Sequence, residues 1–138
     1  QVIGDAADAA SALDECSVVE GRIAELDARF NLARLSTVAG TFFVPVRGRL
    51  QGQLVRVIIR SKDVMLALKR PEAISALNVL SGIVVDIAET EDASLRLRVR
   101  CGDSTIAVQL TRKSAVDLDI RAGTSVYAIV KSVALEGV

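Results

Sequence analysis

The sequence predicts an all-β fold made of two small antiparallel barrels in tandem, and three observations predict it. Apolar and polar residues alternate with period two in most segments beyond residue 18, which is the spacing of half-buried strands. Gly and Pro stand at the joints between these segments, where turns need them. The second half of the chain also repeats the order of segments in the first, as a duplicated unit would.

The elements follow in order. Residues 1–17 are rich in alanine, and up to Glu20 the chain has acids but no base, so residues 1–17 read as a linker or frayed helix. Strands are expected at 18–26, 32–38, 41–46 and 54–60, separated at Gly40, Pro45, Gly48 and Gly52. The second half gives strands at 82–87, 95–100, 105–110 and 125–130, with Gly102 and Gly123 at the turns. In the segment from Leu95 to Arg100 the alternation is strict, which turns two leucines and a valine inward and three arginines to solvent. One short helix is expected at 112–118, with Thr111 as its N-cap.

Laid on each other, the halves match Gly21 with Gly82, Leu32 with Leu95, Thr41 with Ser104 and Gly52 with Gly123. The last match is the longest and ends with Arg60 on Lys131 and Ser61 on Ser132. The first barrel is expected at 18–70 and the second at 71–138. Units this small bury too little surface to stand alone, so they should pack on each other or exchange strands.

Composition excludes several functions. The chain has no His, so a His-dependent triad or His-ligated metal site cannot form, and no metal site is expected. Phosphate-binding and hydrolase motifs of the GxxxxGK[ST], GxGxxG and GxSxG types are missing, so the segment is expected not to be an enzyme and to need no cofactor. Zero net charge and only three Phe and one Tyr argue against nucleic acid, which is held by basic grooves and stacking rings. Two distant cysteines fit a reducing cytoplasm, and no apolar run is long enough to insert in a membrane. The chain begins with Gln and is therefore read as a piece of a longer protein.

Small hydroxyl donors near isolated bases remain: Ser75-Ala76-Leu77-Asn78 before a strand, Thr111-Arg112-Lys113-Ser114 at the helix start, and Lys131-Ser132 at a strand end. A tetrahedral oxyanion carries four acceptor oxygens and no donor, so hydroxyls, backbone N–H groups and cations suit it. Each segment also suits ordinary turn, cap or surface roles.

At these residues the sequence resembles the molybdate-binding Mop, or TOBE, domains, specifically the C-terminal regulatory region of the ATPase subunit of molybdate ABC transporters. The resemblance is carried by Ile74 to Gly82, by Leu110 to Ala115 and by Gly123 to Val133, and it covers roughly residues 18–135. It implies tandem OB-like barrels that form a homodimer and hold molybdate or tungstate at an interface. It also implies contacts to the anion from Ser75, Ala76 and Asn78, from Thr111 and Ser114, and from Lys131 and Ser132. Where family members often have Arg, this chain has Leu77. The implied setting is cytoplasmic, at the inner face of the membrane, with an ATPase domain ahead of the chain and a membrane permease as partner. The function implied is sensing of intracellular molybdate to modulate transport. The alternative is a free-standing, molbindin-like molybdate-binding or storage protein.

Overall fold

The computed structural model describes residues 15–90 and 92–137. Most of the linker or helix expected at 1–17 lies outside the described residues, and Cys16 and Ser17 already belong to the first strand. Among the described residues the chain forms strands β1 (Cys16–Asp27), β2 (Leu32–Thr37), β3 (Gly40–Pro45), β4 (Leu54–Arg60), β5 (Val64–Ala67), β6 (Asn78–Glu89), β7 (Ser94–Cys101), β8 (Ser104–Thr111), β9 (Ser125–Val130) and β10 (Ala134–Gly137). Helix α1 (Arg112–Asp117) follows β8, and a 3-10 turn at Ser61–Asp63, which the sequence does not suggest, links β4 to β5. Thr111 caps α1 as expected: its side chain accepts the Ser114 backbone N–H at 3.1 Å.

Two five-stranded antiparallel sheets result, in the orders β10-β4-β1-β2-β3 and β5-β9-β6-β7-β8. The orders correspond strand for strand, so the duplication in sequence is a twofold likeness in structure. Even local irregularities recur. Both long strands bulge, between Ile23 and Glu25 in β1 and between Val84 and Asp86 in β6. Gly52 donates to the Ile23 carbonyl at 2.7 Å, as Gly123 donates to that of Val84 at 2.7 Å. Arg34 pairs with Glu25, as Arg98 pairs with Asp86, whose carboxyl is held below its usual range chiefly by that hydrogen bond.

Two features could not be read from periodicity. First, the halves trade strands: β5 follows β4 in the chain but pairs with β9, whereas β10 follows β9 but pairs with β4. Each is four residues long, too short to show a pattern, and finds its partner in the other half. Second, the sequence match of β2–β3 to β7–β8 slips by one. Pairing of Arg34 with Phe43 and of Arg98 with Ala107 puts Leu35 on Val99 and Phe42 on Ile106, all four fully buried. The match made from sequence would lay Leu35 on outward-facing Arg98, since one residue of slip inverts a strand's faces. Between the matched pairs Glu25–Arg34 and Asp86–Arg98 the second hairpin is three residues longer than the first, where the sequence match allows for two.

The interior is one continuous apolar cluster drawn from both sheets, including Ile23, Leu35, Phe42, Val57 and Ile59 from the first, and Leu97, Val99, Ile106, Val108 and Val130 from the second. In β7, Leu95, Leu97 and Val99 point inward and Arg98 and Arg100 outward, as the alternation required. At Gly82 the barrel wall leaves no room for a side chain: a Cβ there would lie 2.7 Å from the Arg100 carbonyl oxygen and 2.9 Å from Cys101 Sγ.

Cys101 is buried and Cys16 exposed, and neither is in a disulfide. Burial pushes the Cys101 thiol up to about 11, because a thiolate there would lose its hydration. At pH 8 under native conditions, iodoacetamide should therefore modify Cys16 and spare Cys101 until denaturant is added. Mass spectrometry of the alkylated chain checks this, and equal labelling of both would refute it.

Candidate functional site

The exchange of strands puts the end of one half against the start of the other. At that junction lies a cleft of about 550 Å³, bordered by Phe43 to Pro45 of β3, Arg47 and Arg49 of the turn after it, Asn78 of β6, and Lys131 to Leu135, which run from the end of β9 into β10. Among the described residues, three cations line it and no carboxylate does. Among the described residues, neither Lys131 nor Arg47 is ion-paired, and Arg49 uses one Nη1 contact of 3.3 Å to the Val46 carbonyl. The cleft therefore has the sign and the donors of an anion site.

Local structure explains how each group arrives there. Lys131 directly follows β9, and its backbone N–H donates to the Asp63 carbonyl at 3.0 Å, fixing the strand end against the 3-10 turn. Ser132 follows, exposed, before the chain crosses to the other sheet. The turn after β3 is held by Val46 N–H to the Asn31 carbonyl at 2.9 Å and Arg49 N–H to the Val46 carbonyl at 3.0 Å. Within it Arg47 takes a φ of +47° and Gly48 one of +77°. The left-handed region is uncommon for a side-chain-bearing residue.

Asn78 has a different position from the others. It is 6% exposed, its Oδ1 accepts the Phe43 N–H at 2.7 Å and its Nδ2 donates to the Phe43 carbonyl at 3.2 Å. The side chain thus imitates a neighbouring strand and ties β6 of one sheet to the open edge of β3 in the other. Ser17 does the same work at the matching place, its Oγ accepting the Ala107 N–H at 2.8 Å. One Nδ2 hydrogen of Asn78 is left for the cleft.

The remaining residues singled out in the sequence are dispersed. Ser75 is exposed and Ala76 half-buried in the segment leading into β6, and neither lines the cleft. Leu77 faces a separate hollow with Glu25, Asp27, Leu32, Arg34 and Phe43. Thr111 and Ser114 lie at the far end of β6, since Glu89 pairs with Leu95 and Ser94 with Thr111. Their hydroxyls bond each other at 3.0 Å. The structure thus brings Asn78, Lys131 and Ser132 together and leaves Thr111 and Ser114 apart from them within one chain. The twofold likeness says where the latter belong. Ser17 matches Asn78, Arg60 matches Lys131, Ser61 matches Ser132, and Thr111 matches Arg47.

Arg47 and Arg49 escape the sequence reading. Arg47-Gly48-Arg49 has two bases flanking a turn glycine, a weak signal that gains meaning only when the turn meets Lys131. Among the described residues no group of His, Cys, Asp or Glu could hold a metal ion, and no helix is long and apolar enough to cross a membrane.

The chain is similar to the molybdenum import ATP-binding protein ModC of Rhizobium etli, 39% identical over 121 residues, which are 88% of this chain and 34% of that protein. It is 40% identical over 125 residues to ModC of Hahella chejuensis, covering 89% of this chain and 35% of the relative. With ModC of Rhizobium meliloti it shares 48% of 85 residues, 62% of this chain and 24% of that one. The chain spans about a third of the length of the two longer-matching relatives. Among solved structures, the cytoplasmic molybdate-binding protein ModG, with molybdate bound, superposes with a TM-score of 0.75 at 22% identity over 88% of this chain and 95% of ModG. The tandem-barrel fold is thus that of ModG. The TOBE domain profile matches residues 74–136, the stretch that holds β6 to β9 with Asn78, Lys131 and Ser132, so this part of the chain is similar to a TOBE domain.

Proposed function

We propose that the chain is the oxyanion-sensing regulatory part of a molybdate or tungstate importer's ATPase, and that the anion binds in the cleft at Lys131 and Ser132. The observation that carries this reading is a cleft lined, among the described residues, by three cations and no carboxylate, beside a stretch that the TOBE domain profile matches. Ser75 and Ala76 precede the cleft's floor at Asn78 and would close over the anion with a hydroxyl and a backbone N–H. Thr111 and Ser114 would serve the matching position beside Ser17 and Ser61. The two barrels, divided near residue 70 in sequence, act as one body because each lends the other a strand.

In this reading the ATPase domain precedes the chain, the permease is reached through it, and the whole sits on the cytoplasmic side of the membrane. Two copies pair, since exposed Val18, Phe30, Leu50, Met65, Leu77 and Val116 leave apolar surface that zero net charge does little to keep apart. Oxyanion bound to both copies favours one arrangement of the pair and holds the ATPases apart. A shift from 1:99 to 99:1 needs about 5.5 kcal/mol of differential binding, which several sites per dimer can share. This segment carries no catalytic step of its own.

Calorimetric titration with molybdate, tungstate and sulfate, beside light scattering, tests the proposal. Micromolar binding of molybdate or tungstate to a dimer is expected. A chain that binds none of the three, or stays near 14.6 kDa at tens of micromolar with and without ligand, would contradict it.

A further inference from the structure

We infer that Arg47 is a direct ligand of the oxyanion in the Lys131 cleft, standing where the other half of the molecule has Thr111, with Arg49 beside it as a second charge. The inference rests on the proposed anion-binding role of the cleft and adds a residue that neither the sequence motifs nor the resemblance contains.

Three independent observations meet on Arg47. The first is the internal twofold: Phe43 lies opposite Arg34 and is clamped by Asn78, while Ala107 lies opposite Arg98 and is clamped by Ser17. Counting four residues on from each clamped position gives Arg47 in one half and Thr111 in the other. The fold therefore places Arg47, and no hydroxyl, at the strand end that faces Lys131.

The second is electrostatic. Arg47, Arg49 and Lys131 share one cleft without a carboxylate among its lining residues. Elsewhere on the described surface, arginines are regularly paired: Arg34 with Glu25, Arg98 with Asp86, Arg112 with Glu89 and Arg121 with Asp119. Like charges gathered without partners repel, and an exposed cluster of this kind gains most from a multivalent anion. Leu77 carries no charge and faces the other hollow, so it adds no cation to the cleft.

The third is conformational. Arg47 sits at φ +47°, in a turn pinned on both sides by backbone hydrogen bonds. Backbone held in a sparsely populated region costs free energy that the surroundings must offset, and such positions concentrate at ligand sites. A planar guanidinium with two parallel N–H groups matches two oxygens of a tetrahedral dianion, a geometry that a lysine ammonium does not reproduce.

The test compares wild type with Arg47→Gln, Arg47→Lys and Lys131→Ala by calorimetric titration with molybdate at two salt concentrations. Arg47→Gln should weaken the binding that Lys131→Ala removes by about 10- to 100-fold and flatten its salt dependence. Arg47→Lys should recover part of the affinity and all of the salt dependence. Because Arg47 is exposed at a turn, melting curves should stay unchanged, which separates a ligand from a structural residue. If Lys131→Ala loses binding and Arg47→Gln binds like wild type, the inference is overturned while the site stands. If wild type binds no molybdate, tungstate or sulfate, the reading of the cleft fails and the inference goes with it.

Discussion

Asn78→Ala should lower the stability of the folded chain by about 2–4 kcal/mol, because it leaves both the N–H and the carbonyl of Phe43 without partners at a largely buried junction. For a chain of this size that corresponds to a fall in Tm of roughly 6–15 °C. The same truncation at the matching clamp, Ser17→Ala, removes a single bond and should cost about 1 kcal/mol. Asn78→Asp is the sharper variant: it keeps the shape and an acceptor for the Phe43 N–H but sets a carboxylate oxygen against the Phe43 carbonyl. It should destabilise at neutral pH and recover part of the loss as acid protonates the carboxyl. Thermal melts of the three variants decide the matter. An Asn78→Ala protein that melts within 2 °C of wild type would mean the clamp is redundant, and the residue would then be free for a role confined to the ligand.

Lys131→Ala should weaken molybdate binding by on the order of 30- to 100-fold, since a hydrogen bond to a charged group contributes about 1.5–3 kcal/mol. Its stability should barely change. The side chain is exposed, and what fixes the strand end is the backbone bond from its N–H to Asp63, which alanine retains. Arg60→Ala, at the matching place, should matter less to binding. Where Ser75 and Ala76 precede Asn78 in one half, Asp14 and Glu15 occupy the corresponding stretch before Ser17 in the other, and carboxylates repel a dianion. Titrations on folded protein check both, and equal affinities for wild type and Lys131→Ala would move the anion away from this cleft. The pair of predictions separates two jobs that lie side by side: Asn78 holds the junction together, whereas Lys131 charges it.

Much of the architecture could be read from the chain itself. Period-two alternation located eight strands, because a strand's inward and outward faces are written in adjacent residues and need no knowledge of its partner. Thr111 announced the start of α1 for the same reason, as a cap is satisfied by a group three residues away. The doubling was visible in Gly52 to Ser61 against Gly123 to Ser132, where the two halves have no gap between them. The hydroxyl and basic residues singled out in the sequence were legible as residue types, and three of them, Asn78, Lys131 and Ser132, line one cleft.

What the tertiary structure alone decided is non-local. Exchange of β5 and β10 depends on which half offers the better edge, and four-residue strands carry no such information. The correct overlay of the two hairpins depends on loop lengths, which alternation ignores and register pairing measures. Thr111 and Ser114 lie apart from Lys131 because the twelve residues of β6 separate the end that pairs with Val130 from the end beside β7 and β8. Arg47 and Arg49, unremarkable as two bases about a glycine, share a cleft with Lys131 and Ser132 only because the link from β9 to the exchanged β10 passes the same turn. Residue patterns fix what each segment is because faces and caps are local; which segments meet is settled by burial of the shared core, a property of the whole chain.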